Sequence, residues 1–366
     1  MAMGNKTIIF YAPVGTNVPA HMLGGGEKGC RRTREILRTA GYDVMTIDKA
    51  TMSHGAVSYF KGAIHAIVEI RKRLNADPDA ILYIVGFYEN NLLLEWILIN
   101  LGGKQRKTIY EARNGRLVKA YWEKGNLYKK LMDNVLKRAN VIFAQGLEYV
   151  DFIKKYGKQA VYTPNYVLNR NLKPYVADRP FDTIRLIYFG RVSESKNVDV
   201  VIKVAWELEK AGYNTMTTII GGYTENYKLR LDQVTQECKL GKNKVQILGQ
   251  QPFERICDEL QRAHFFIFPS QEKMEGHSNS LTEAMTFGVV PIVSTAGFNA
   301  SIVGNSELIV SDIDPLKYAG VIETVIKKGT WSEYSLNMYQ RIKTNYTEDI
   351  VSKAIIEAVS SLEDRT

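Results

Sequence analysis

The chain has 366 residues, 45% hydrophobic and 24% charged, which excludes a mainly disordered protein and suggests two or three domains. Its net charge of +9 is uneven: residues 1–180 carry 28 Lys and Arg against 15 Asp and Glu, residues 181–366 carry 20 against 24, so the halves are expected to meet different partners. Three widely spaced cysteines (Cys30, Cys238, Cys257) exclude a disulfide framework and a zinc-finger spacing, and fit a reducing compartment.

Elements are taken in chain order. The apolar run at 7–12 reads as a first strand; it is too short for a signal core, so no leader is read and a cytoplasmic protein is expected. Gly24, Gly25 and Gly26 follow it, before a helical pattern, and suit close approach of a phosphate or sugar without matching a P-loop or a GxGxxG fingerprint. Further strands fit 43–47, 80–85, 107–110, 140–144 and 160–162, with helices at 27–40, 59–74, 91–101, 117–138 and 148–156. The most apolar stretch, 92–101, is about half a membrane span and contains Glu95. This alternation implies a mostly parallel sheet covered on both faces.

Eleven basic residues crowd positions 104–138, opposed only by Glu111, Glu123 and Asp133 and interleaved with Tyr121, Trp122 and Tyr128. Such a block fits peripheral contact with an anionic membrane such as the inner face of a plasma membrane, or an ordinary solvated helix face. No helix-turn-helix, zinc or RRM signature accompanies it, so nucleic acid is not the expected partner.

Residues 165–182 are polar, carry Pro174 and Pro180, and lack periodicity. The expected division is a first domain over 1–170, a linker over 171–182, a second domain over 183–345, and a closing helix over 346–366 that can return to the first domain. The alternation restarts with strands at 184–189, 216–220, 244–248, 265–268, 290–293 and 308–310 and helices at 198–211, 225–238, 253–262, 281–287 and 315–327. Two helices near 332–345 and 347–362 close the chain. Two Rossmann-like domains in tandem are expected, with an interdomain cleft as the default site.

Three motifs carry chemistry. Gly190-Arg191 and Lys196-Asn197 follow the second half's first strand; Gly190 admits a ligand closely, while Arg191 and Lys196 suit a diphosphate. Glu275 and Glu283 flank a loop that becomes a helix N-terminus, a cradle for phosphate with a carboxylate able to accept sugar hydroxyls. Ser280 and Glu283 also read as a capping box, which alone would explain Glu283. The Asp77/Asp79 and Asp312/Asp314 pairs read as a turn and a helix start, not as metal ligands.

Together these motifs resemble the retaining glycosyltransferases of family 4, which have the GT-B fold and include bacterial surface-polysaccharide enzymes. The resemblance implies an α/β protein of two Rossmann-like domains with parallel sheets facing across a cleft. It implies transfer of a hexose-type sugar from a UDP- or GDP-linked donor, with retention, to a glycan or polyprenyl-diphosphate-linked acceptor, without metal or other cofactor. It assigns the diphosphate to Arg191 and Lys196, donor-sugar hydroxyls to Glu275, the ribose to Glu283, and phosphate-binding amides to Ser278, Asn279, Ser280 and Leu281. Gly190, Gln250 and His277 complete the donor side. No histidine stands where many members carry one after the fourth strand, so Glu111, Arg113 and Asn114, with His21 and His54, are acceptor-side candidates only. An epimerase or phosphorylase on the same fold, or a non-catalytic lipid or nucleic-acid module, are the alternative readings.

Overall fold

The structure, a computed structural model, describes residues 6–16, 18, 24–49, 55–103, 105–113, 115–158, 160–241, 243–271, 273 and 275–363. The chain folds as two compact units, 1–165 with 349–366, and 166–348.

The first unit runs β1 (Thr7–Ala12), α1 (Gly25–Thr39), β2 (Asp43–Asp48), α2 (Ala56–Ala76), β3 (Ile81–Gly86), α3 (Leu92–Asn100), β4 (Thr108–Ala112), α4 (Leu117–Glu123), α5 (Asn126–Arg138), β5 (Val141–Ala144), α6 (Leu147–Lys154) and β6 (Ala160–Tyr162). Its six strands are parallel, in the order β2-β1-β3-β4-β5-β6. Helices on both faces require strands apolar on both faces, and β3 is buried at every position. The single helix expected over 117–138 is instead two, because Gly125 caps a new start at Asn126. α14 (Glu348–Ser360) packs on this unit through Tyr42–Ser360 and Lys6–Glu363 contacts.

The second unit runs β7 (Ile184–Phe189), α7 (Val198–Lys210), β8 (Thr215–Ile220), α8 (Glu225–Glu237), β9 (Val245–Ile247), α9 (Phe253–Arg262), β10 (Phe265–Phe268), α10 (Asn279–Thr286), β11 (Val290–Ser294), α11 (Asn299–Val303), β12 (Ile309–Val310), α12 (Pro315–Lys327) and α13 (Trp331–Asn345). Its sheet is parallel too, ordered β12-β11-β10-β7-β8-β9. The stretch expected to be a linker is part of this unit: Arg179 is buried and donates to the Ala263 carbonyl at 2.6 Å and to that of Phe287, and Tyr175 bonds Ser335. A parallel bridge between Val167 and Thr347 ties the chain's two crossing points side by side.

The basic block is not one face. Arg106 donates to the carbonyls of Leu74, Asp77 and Pro78, Arg113 is buried on Glu111, and Arg116 pairs with Glu89 and Glu123. Lys104 lies outside the described residues.

At the carboxyl end of β3 the backbone turns with positive φ at Tyr88 (34°) and Glu89 (49°), a conformation that costs about 1–3 kcal/mol per residue. Glu95, fully buried, holds it: the carboxylate accepts from the Phe87 and Tyr88 amides, the Tyr110 hydroxyl (2.7 Å) and the Lys49 ammonium (2.5 Å). Breaking a buried pair from one side strands the other charge. Lys49→Met is therefore expected to destabilise the chain by about 3 kcal/mol, with K49M/E95L recovering part of the loss. Urea denaturation read by circular dichroism checks this, and an unchanged midpoint for Lys49→Met contradicts it.

Candidate active site

In the second unit the chain leaves β7 towards β8 and β9, then returns to place β10 on the other side of β7. Open parallel sheets bind ligands at the carboxyl ends of the strands where the winding reverses. Here those strands are β7 and β10, and the segments leaving them carry Gly190 to Asn197 and Pro269 to Glu275.

These segments are laced together. Asn197 stands in the left-handed region (φ 50°, ψ 45°), which asparagine tolerates better than most residues, and its side chain donates to the Pro269 carbonyl at 2.9 Å. The Gln271 amide donates to the Ser195 carbonyl, also at 2.9 Å. Held in this way, the Lys196 ammonium donates to Glu275 Oε2, which also accepts from the Ser270 hydroxyl at 2.7 Å. Both side chains are about nine-tenths buried (9% and 10% exposed), and the ammonium lies 5.4 Å from the Phe268 ring. Among the described residues both hydrogen bonds to this carboxylate fall on Oε2, which leaves Oε1 able to accept from a hydroxyl.

Gly190 turns the chain out of β7 at φ 137°, close to the start of α10: a Cβ there would lie 3.7 Å from the Ser280 hydroxyl. The Tyr188 hydroxyl donates to the Arg191 carbonyl at 2.6 Å, and the Arg191 side chain is exposed. The N-cap of α10 is Ser278, whose hydroxyl accepts from the Leu281 amide at 3.4 Å. The capping box expected from Ser280 and Glu283 therefore does not form as read: Ser280 is inside the helix, its hydroxyl 3.1 Å from that of Ser278. Capping does not account for Glu283, which is half-buried in the helix. A helix start leaves its first amides outside the helical ladder and presents a positive dipole end, both suited to an anion.

His277 is buried with its ring edge-on to Tyr346, centroids 5.2 Å apart, and burial pushes its pKa down to about 3. It is a neutral wall of the loop. Gln250 is exposed in the segment after β9, where Gly249 lies near Tyr223.

Three glycines that the motif reading passed over shape this end of the sheet. A Cβ on Gly221 would stand 1.7 Å from the Gly190 carbonyl oxygen, and Gly221 has φ 150°. Its amide donates to the Gly249 carbonyl at 2.8 Å, and Val192 donates to the Gly222 carbonyl at 3.0 Å. Gly297 packs under the Glu275 loop, where a Cβ would meet the Glu275 carbonyl oxygen at 2.5 Å. The signal for the first two was visible: Gly221-Gly222 directly after a strand.

On the first unit, Gly24 caps α1 through its backbone, and Gly25 and Gly26 form the helix's opening turn. Glu111 and Arg113 are core groups, not surface candidates. Arg113 Nε donates to Glu111 at 2.5 Å and Nη2 to Thr33 at 3.2 Å, while Tyr83 donates to Glu111 at 2.8 Å. Burial opposes the Arg113 charge, yet the Glu111 carboxylate keeps the guanidinium more firmly protonated than usual. Asn114, His21 and His54 lie outside the described residues. The loop after β1 is instead held by residues not singled out from the sequence. Asp48 accepts from the Val14, Gly15 and Thr16 amides, and Arg31 donates to the Val14, Gly15 and Val18 carbonyls.

The Asp-x-Asp pairs do structural work. Asp77 accepts from the Asp79 amide in a turn, and Asp314 caps α12 at the Leu316 amide with Pro315 following. All three cysteines are buried, with Cys30 raised to about 12 by burial.

Residues 176–348 match the family described as "Glycosyl transferases group 1", so the second unit carries a glycosyltransferase domain. No curated protein matches the chain in sequence. Solved structures match over nearly its whole length. Sucrose-phosphate synthase from Thermosynechococcus elongatus has TM-score 0.75 at 15% identity, over 99% of this chain and all of that one. A glycosyltransferase from Rickettsia africae gives 0.74 at 13%, covering all of both chains. Anabaena Alr3699/HepE in complex with UDP and glucose gives 0.66 at 14%, over 98% of this chain and all of that one. At such identities the likeness is one of fold, and that fold is GT-B.

Two expectations follow. Gly221→Ala forces the Gly190 turn to move and is expected to cost about 2 kcal/mol or more, whereas Gly190→Ala meets strain but no close atom and costs less. Thermal denaturation of both variants checks the order, and equal losses contradict it. Below pH 6.5 the unfolded chain takes up a proton at position 277 that the folded chain refuses until about pH 3. Stability is thus present above 6.5 and falls on acidification. His277→Phe is expected to lessen the loss between pH 7 and pH 5 by about 2 kcal/mol, read from urea midpoints.

Proposed function

We propose that the protein is a retaining glycosyltransferase of the family 4 type. It would move a hexose-type sugar from a UDP- or GDP-linked donor to a glycan or polyprenyl-diphosphate-linked acceptor in surface-polysaccharide synthesis. The observation that carries this reading is the meeting of Lys196, Glu275, Gly190 and the Ser278-capped start of α10 at the winding reversal of the second sheet.

In this reading charge develops on the leaving diphosphate as the sugar–oxygen bond breaks. Preorganised cations and dipoles lower that barrier without reorganising. Lys196 supplies a point charge, Arg191 a planar fork, and the turn from Ser278 to Leu281 the dipole end of α10. Glu275 Oε1 accepts from a sugar hydroxyl while Oε2 keeps Lys196 in place, so one carboxylate both orients the sugar and aims the ammonium. Glu283 takes the ribose hydroxyls, and His277, kept neutral by burial, adds no positive charge beside the sugar. A leaving-diphosphate oxygen accepts the acceptor hydroxyl's proton on the face from which it departs, which retains the anomeric configuration. That route needs no carboxylate nucleophile. The basic first half favours an acceptor that itself carries a diphosphate.

Binding comes first in the test. A nucleoside diphosphate at about 100 times its Kd is expected to stabilise the chain by about 2.7 kcal/mol, and comparing UDP with GDP identifies the nucleotide. Lys196→Ala and Glu275→Gln should each lower transfer by roughly two to three orders of magnitude while the protein stays folded. Proton NMR of the product then reads the anomeric configuration. Inversion, or full activity in both variants, overturns the reading.

A further inference from the structure

We propose that the first unit docks on an anionic lipid surface through the outer face of α2, together with the lysine-bearing region of α4 and α5. α2 buries Ala63, Ala66, Ile70 and Leu74, which suffices to hold it in the fold. A second apolar stripe faces solvent: Val57, Phe60, Ile64 and Val68 are 70, 64, 63 and 60% exposed. Spacings of three, four and four residues put them on one line, about 16 Å long. Isolated exposed hydrophobics are ordinary, but a continuous stripe beside further ones marks an interaction surface.

The further ones lie on the same layer. α2 packs on α3 and α3 on α5. Leu93 near the start of α3 is 58% exposed, Leu127 near the start of α5 is 72%, and Trp122 at the end of α4, just before α5, is 63%. In a parallel α/β unit the helices that follow strands begin at the strands' carboxyl ends. Val57, Phe60, Leu93 and Leu127 therefore share that edge of the first sheet, the edge on which such sheets place their ligands.

The charge around the stripe selects the occupant. Lys61 lies within it, and Arg71 and Lys72 are exposed beyond it, while the acid of α2, Glu69, is paired with Arg73. Lys129 sits 5.4 Å from the Trp122 ring and Lys124 5.6 Å from the Tyr128 ring, so ammonium groups and amphipathic rings occupy one place. A second copy docked about a two-fold axis would bring these cations against themselves. Anionic headgroups neutralise them, and the acyl boundary takes the apolar stripe. Among the described residues no helix is long and apolar enough to cross a membrane, so this contact is peripheral.

The inference deepens the lipid-linked acceptor reading and rests on it for its purpose. Its assay contains no nucleotide sugar, so the two fail separately. The full chain is floated with vesicles of phosphatidylcholine, with and without phosphatidylglycerol, at low and high salt. Binding to the anionic vesicles only, weakened by salt and reduced about tenfold or more in F60S/I64S, is the expected result. The substitutions are at exposed positions, and an unchanged melting temperature confirms that the variant is folded. Absence of binding by the native chain, or equal binding by F60S/I64S, overturns the proposal. So does a dimer on gel filtration that F60S/I64S dissociates without any vesicle binding, which would make the stripe a self-association face.

Discussion

The second unit is organised by one ion pair that spans the point where its sheet reverses direction. Lys196 and Glu275 are 79 positions apart and leave two adjacent strands that hand the chain on in opposite directions. In open parallel sheets the crevice that binds ligands lies at such a point. The Asn197 side-chain bond to the Pro269 carbonyl and the backbone bond from Gln271 to Ser195 fix the two rims. The ammonium then has little conformational freedom left to lose, which is what separates a preorganised cation from a surface lysine. Glycines complete the frame: Gly221 admits the Gly190 carbonyl, and Gly297 admits the Glu275 loop. Each is a place where a side chain would push a rim out of position.

How much of this was legible follows from the range of each cause. The strand–helix alternation is a local signal, and β3, β5 and β10 are apolar throughout because both faces are buried. Lys196 and Glu275 were legible as types at the ends of strands; their pairing was not, since it depends on β7 and β10 being neighbours. Asn197 was legible only as a polar residue after Lys196; its left-handed conformation and its bond to Pro269 depend on the fold. The helix start in the Glu275 loop was misplaced because Ser278 and Ser280 both fit an N-cap, and it is the extended backbone of Ser278 and its bond from the Leu281 amide that distinguish them. The density of cations over 104–138 overstates the exposed charge for a related reason. A sequence counts charges without their partners, and Arg106, Arg113 and Arg116 are spent within the first unit. The apolar stripe on α2 was hidden by the opposite ambiguity: with apolar residues on two faces, a periodicity does not say which face is buried.

The two units contain the same device in different states. In the first, Lys49 and Glu95 meet where β1 and β3 part, the reversal point of that sheet. Their side chains are 3% and 0% exposed, and Glu95 accepts from four donors. Every oxygen is used, and the pair locks the strained Tyr88–Glu89 turn. In the second unit the corresponding pair is slightly open, at 9% and 10%, and among the described residues both hydrogen bonds to its carboxylate fall on Oε2. Desolvation is costly for either pair unless hydrogen bonds satisfy it. The first pair meets that requirement internally and so acts as structure. In the proposed function the second pair's Oε1 and remaining ammonium protons are satisfied from outside, by a partner that both accepts and donates. In the proposed function a sugar joined to a diphosphate does both within one molecule, so that one kind of ion pair braces the first sheet and serves as a binding site on the second.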